Sequence, residues 1–118
     1  MSDAEKRRHH RHLALLEARV LPGDGVPADV KLATIDIGTG GALCASNRPI
    51  DADASLKLTL TLIGGALRSP ATVDVEARVL RCTQRAGAIE SRRYELALQF
   101  TRVDAEDKKR LQAYLNNI

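Results

Sequence analysis

Apolar and polar residues alternate along most of this chain with a period of two. The clearest stretch is 56–62, where Leu56, Leu58, Leu60 and Leu62 alternate with Lys57, Thr59 and Thr61. That is the pattern of a strand with one buried face and one wet face. Residues 71–82 repeat it, with Val73, Val75, Ala77 and Val79 on one side and Asp74, Glu76 and Arg78 on the other. Tyr94, Leu96, Leu98 and Phe100 alternate with Glu95, Ala97, Gln99 and Thr101 as a last strand. Three earlier strands are predicted over 13–21, 30–37 and 42–45, the first with Leu16, Ala18 and Val20 on one face. Turn chemistry separates them: Pro22-Gly23-Asp24-Gly25, Gly38-Thr39-Gly40-Gly41, a polar loop over 46–55, Gly64-Gly65, and a loop over 84–92 around Gly87.

Near the end the period lengthens. Leu111, Tyr114, Leu115 and Ile118 fall at i, i+3, i+4 and i+7, one stripe of a helix. Asp104 is suited to cap it, and Asp107 completes a weak capping box, so a helix is predicted over about 104–117. Six short strands leave edges that closure removes. The expectation is a mainly β fold, a six-stranded antiparallel barrel with a C-terminal helix over one opening.

Composition narrows this without changing it. A chain of 118 residues holds one domain. Aromatics are limited to Tyr94, Phe100 and Tyr114, so the core must be built from Leu, Val, Ile and Ala. No apolar run is long enough to span a membrane, and the charged start lacks the apolar segment of a secretory signal. A cytoplasmic location is expected, with Cys44 and Cys82 as reduced thiols.

Charge is distributed unevenly. Lys and Arg number 18 against 15 Asp and Glu; without Lys6, Arg7, Arg8 and Arg11 the balance becomes 14 against 15. The positive excess therefore sits in a short arm. Residues 1–12 lack apolar periodicity and read as a flexible basic arm ahead of a barrel spanning 13–118. Arg7 and Arg11 are four apart, which puts them on one side of either a helix or a strand. Arg8 is available as a third group. A guanidinium donates two parallel hydrogen bonds to phosphate and stacks on purines. On spacing alone, a solvated basic tail is the simpler reading. Asp36 stands at the mouth of a turn containing Gly38, Gly40 and Gly41, where glycines permit positive φ and close approach of a ligand. Its carboxylate can accept from a guanine's ring N–H and amino group, or simply from its own loop amides. His9, His10 and His12 could take up a metal adventitiously, but nothing completes a rigid site, and no metal or cofactor is expected. A nucleic-acid-binding barrel would want stacking aromatics on its face, which the sequence does not supply.

Taken together, Arg7-x-x-x-Arg11, two strands, and then Asp36-x-x-x-x-Gly41 resemble the PilZ domain family, whose pattern is Arg-x-x-x-Arg followed by Asp/Asn-x-Ser-x-x-Gly. The likeness extends through Tyr94–Phe100, which is similar to the family's final strand, and Asp104–Leu115, similar to its closing helix. The resemblance implies a PilZ-type split barrel and a receptor for cyclic di-GMP that is not an enzyme. Arg7, Arg8 and Arg11 would hold phosphates and guanines. Asp36 would read a guanine edge, and Gly38, Gly40 and Gly41 would let the ligand lie close. An arm this loose is expected to order on binding and to offer a changed surface to an unidentified protein effector, in motility or biofilm control. A monomer or weak dimer is expected. Gly38 stands where the family has Ser, removing one hydroxyl worth about 0.5–1.5 kcal/mol if neutral. The alternative is a PilZ-type scaffold, as in type IV pilus assembly, that does not bind the nucleotide.

Overall fold

The computed structural model describes residues 12–21, 23, 26–65 and 67–118. The strands are β1 (His12–Leu13), β2 (Glu17–Val20), β3 (Leu32–Ile37), β4 (Gly41–Ser46), β5 (Ser55–Leu62), β6 (Ala71–Gln84) and β7 (Tyr94–Arg102). A 3₁₀ turn at Glu90–Arg92 precedes β7, and helix α1 (Ala105–Leu115) ends the fold. The pairing order β3-β2-β5-β6-β7-β4, together with a β3–β4 pairing, closes six strands into an antiparallel barrel. The seventh, β1, is an extra strand on β3, holding it through His12↔Ile37 and Leu13↔Asp36.

The extra strand comes from an interruption. The sequence predicts one strand over 13–21, but the chain breaks between Leu13 and Glu17, so β1 and β2 pair with opposite ends of β3. Thr34, wholly buried, makes the joint. Its Oγ1 accepts from the Leu16 amide at 2.8 Å and donates to the Ala14 carbonyl at 2.6 Å. The Thr34 amide donates to Leu16 O at 2.8 Å, and the Ala14 amide to Ile35 O at 3.2 Å. A buried polar side chain is tolerated because its hydroxyl both donates and accepts.

The alternation does what the pattern requires. Leu56, Leu58, Leu60 and Leu62 from β5, Val73, Val75, Ala77 and Val79 from β6, and Leu96 and Leu98 from β7 all point inward and are buried. α1 lays Leu111, Tyr114 and Leu115 against this interior. The Tyr114 hydroxyl donates to the Ile63 carbonyl at 2.7 Å, so the one buried aromatic keeps its polar end satisfied.

Two expectations for the helix need correction. Asp104 is the N-cap residue, but its side chain makes no cap hydrogen bond, and the capping box does not form. Asp107 faces β6 instead: its carboxylate accepts from the Asp74 amide at 3.3 Å and from Arg110 at 2.8 Å, while Arg110 also donates to Thr72 O. Docking to the barrel outcompetes local capping. The stripe also stops at Leu115; Ile118 lies beyond the helix and is half exposed.

Gly64 and Gly65 turn β5 toward β6 with φ of 84° and 60°. A Cβ on Gly65 would stand 3.3 Å from Ile118 Cγ2. Gly65→Ala is therefore expected to cost about 1–2 kcal/mol through left-handed strain alone, read as a lower urea midpoint with an unchanged slope.

Candidate functional site

Asp36 owes its direction to a β-bulge. Leu32 and Thr34 point inward, so strict alternation would carry residue 36 inward as well. The register instead shifts between Thr34↔Cys44 and Asp36↔Leu43, leaving Ile35 and Asp36 both opposite Leu43. An extra residue on one strand reverses the facing of everything beyond it. Ile37 becomes the inward residue, fully buried, and Asp36 stays half-buried at the outer wall.

The turn after it is tight. The Gly38 amide donates to Gly41 O at 2.9 Å, and the Phe100 amide donates to Gly40 O at 2.9 Å, stitching the bend to β7. Gly38 and Gly41 are buried. Positive φ, expected here, is found among the described residues at Asp53, Gly64, Gly65 and Gly87 instead. None of these four lies in the Gly38–Gly41 bend.

The cross-strand register sets Asp36 in a row. Leu13 of β1 pairs with Asp36, Asp36 with Leu43 of β4, Leu43 with Ala97 of β7, and Ala97 with Arg81 of β6. Directly paired residues project from the same face of a sheet. Leu43 and Ala97 are half-buried, and Leu13 is 86% exposed. The outer wall thus carries a short apolar strip with a carboxylate beside it. Arg81 and the strip went unnoticed in the sequence because register joins them. The available signal was the switch of inward positions from odd to even after Val79.

Of the site residues expected from sequence, Asp36, Gly38, Gly40 and Gly41 come together around the start of β4. Arg7, Arg8 and Arg11 lie outside the described residues, as do His9 and His10. His12, assigned to the arm, is the first residue of β1. Clefts among the described residues open elsewhere: one of 420 Å³ between β5 and β6, lined by residues including Lys57, Asp74, Glu76 and Arg102, and one of 640 Å³ along β2 and the start of β3, lined by residues from Glu17 to Leu32. Neither includes Asp36. On the same wall as the second, Arg48 holds the Asp29 carboxyl below its ordinary range, chiefly by a side-chain hydrogen bond, with Arg48 Nε to Asp29 Oδ2 at 2.9 Å.

The described residues thus form a small closed six-stranded barrel with a helix over one end and an acidic residue turned outward beside a glycine bend. The sequence matches the PilZ domain over residues 5–117, and the chain belongs to that family of receptor and adaptor domains. No curated protein matches it. Among solved structures it is similar to the Bacillus subtilis inhibitor of motility, MotI/DgrA, with a TM-score of 0.71 at 21% identity. The likeness covers 92% of this chain and 48% of that one, so the chain spans about half the length of that neighbour.

Proposed function

We propose that this domain is a cyclic di-GMP receptor that orders its basic arm over the ligand and offers the changed surface to a protein partner. One observation carries the proposal. The bulge at Ile35 turns Asp36 outward beside Leu13, and β1 begins one residue after Arg11. Consecutive Cα atoms are about 3.8 Å apart, so Arg11 cannot be far from the strand end that pairs with Ile37 and Asp36. Arg7 is five residues from His12, a span of roughly 18 Å at most. Guanidiniums from the arm and a carboxylate from the wall then meet a ligand with two phosphates and two guanines. The arginines neutralise phosphate, and Asp36 accepts from one guanine's N1–H and amino group. Ordering the arm costs about 1–2 kcal/mol per residue, which these contacts must offset. Control of motility is the process suggested by the name of the structural neighbour. A cytoplasmic domain is the natural setting for such a receptor.

Calorimetry with cyclic di-GMP tests this. Wild type is expected to bind at micromolar concentration or tighter. Arg7→Ala should bind about tenfold more weakly, the loss of roughly 1.5 kcal/mol from one charged hydrogen bond. Gly38, lacking the family's hydroxyl, favours the second reading, a scaffold that does not bind the nucleotide; a wild-type chain that gives no heat would establish it.

A further inference from the structure

The row through Asp36 has a second bulge at its other end. Register shifts again between Val79↔Leu98 and Arg81↔Ala97, leaving Leu80 and Arg81 both opposite Ala97. Val79 is fully buried and Cys82 half-buried, while Leu80 is half exposed and Arg81 exposed. Two bulges on different strands thus aim an acid and a base outward at either end of one apolar strip, Leu43–Ala97. Bulges re-aim side chains, and they concentrate beside binding sites. Three other arginines of β6 and β7 or the loop between them have a carboxylate nearby: Arg78 lies 3.9 Å from Asp53, Arg85 3.6 Å from Glu95, and Arg102 4.0 Å from Asp104. The Arg81 guanidinium enters no ion pair among the described residues.

The scale suits a purine dinucleotide. Asp36 and Arg81 are three strand spacings apart, about 14 Å along the wall at ~4.8 Å each. Register puts both on the outer face with the strip between them, and an Arg side chain is long enough to reach back across a neighbouring strand. A base lying flat on Leu43 and Ala97 would present one edge toward Asp36 and the opposite side of the ligand toward Arg81. Carboxylate suits the donor edge of guanine, and a guanidinium suits its O6 and N7 acceptors, which it bonds bidentately.

We infer that Arg81 is a further ligand-binding residue of this domain, donating to the O6/N7 edge of a guanine that lies across Leu43 and Ala97. This rests on the receptor function proposed above. The test is calorimetry of the full chain with cyclic di-GMP and cyclic di-AMP, using wild type, Arg81→Ala, Arg81→Lys and, as a control at the other end of the β6–β7 ladder, Arg102→Ala. Arg81→Ala is expected to weaken cyclic di-GMP binding tenfold or more, roughly the discrimination of one bidentate guanine contact. Its preference for cyclic di-GMP over cyclic di-AMP should shrink as well. Arg81→Lys should recover little, because an ammonium cannot form the fork. Arg102→Ala should bind as wild type. The melting temperature without ligand should be unchanged in every Arg81 variant, since the side chain is exposed. Wild-type affinity in Arg81→Ala overturns the inference and leaves the receptor function standing. Full recovery in Arg81→Lys overturns the guanine-edge contact, because a point charge would then suffice. A wild-type chain that ignores both nucleotides removes the receptor function, and this inference with it.

Discussion

Asp36→Ala is expected to weaken cyclic di-GMP binding about a hundredfold or more while leaving the barrel intact. The carboxylate is at the outer wall and half-buried, so its removal opens no core cavity. Two hydrogen bonds from one guanine converge on it in the proposed complex, and bonds to a charged group contribute about 1.5–3 kcal/mol each. Losing both would exceed about 2.7 kcal/mol, two orders of magnitude in affinity. The cost is larger than for Arg7→Ala because Arg8 and Arg11 remain to hold phosphate, whereas nothing else in the row carries a carboxylate beside Leu43. Asp36→Asn separates charge from shape. An amide keeps one acceptor but brings a donor against guanine's own donors, so Asn should bind little better than Ala. Equal affinity of Asp36→Ala and wild type, measured by calorimetry alongside matching far-ultraviolet spectra, would remove Asp36 from the site.

Most of the barrel could be read from alternation because a period of two reports which face of a strand is buried. Leu56–Leu62, Val73–Val79 and Leu96–Leu98 needed nothing else, and each points where the pattern says. Closure followed from the number of short strands. The helix followed from its stripe, although its cap did not: Asp107 had a stronger offer from the Asp74 amide and Arg110, and no local rule sees across 33 residues. The bulges at Ile35 and Leu80 are the other instructive cases. Each leaves a trace, a switch of inward positions from even to odd after Thr34 and from odd to even after Val79. That trace looks like noise until the partner strand is known. The candidate site was legible where it is local, at Asp36 and the glycine bend. It was illegible where register brings together Leu43, Ala97 and Arg81 from three different strands.

Thr34 shows how tightly the site depends on the core behind it. Thr34→Val keeps the shape and the branch and removes only the hydroxyl. The Leu16 amide, buried with Leu16 itself at 4% exposure, then loses its acceptor, and the Ala14 carbonyl loses its donor. A buried group left without a partner costs about 1–3 kcal/mol, so the pair should cost roughly 2–5 kcal/mol. That is a large share of the 5–15 kcal/mol typical of a whole domain. Thr34→Ser keeps both bonds and drops one methyl, an expected loss of about 1 kcal/mol. Urea unfolding of the three chains gives the answer directly, and a Thr34→Val midpoint within experimental error of wild type would show that the joint is not what holds β1. If the joint does hold, ligand binding should weaken in Thr34→Val even under conditions where it remains folded. β1 is paired to β3 at only two positions, one of them Asp36 itself, and Arg11 directly precedes it in the sequence. Loosening that strand raises the entropy that the ligand must remove, so affinity falls without any contact residue being changed.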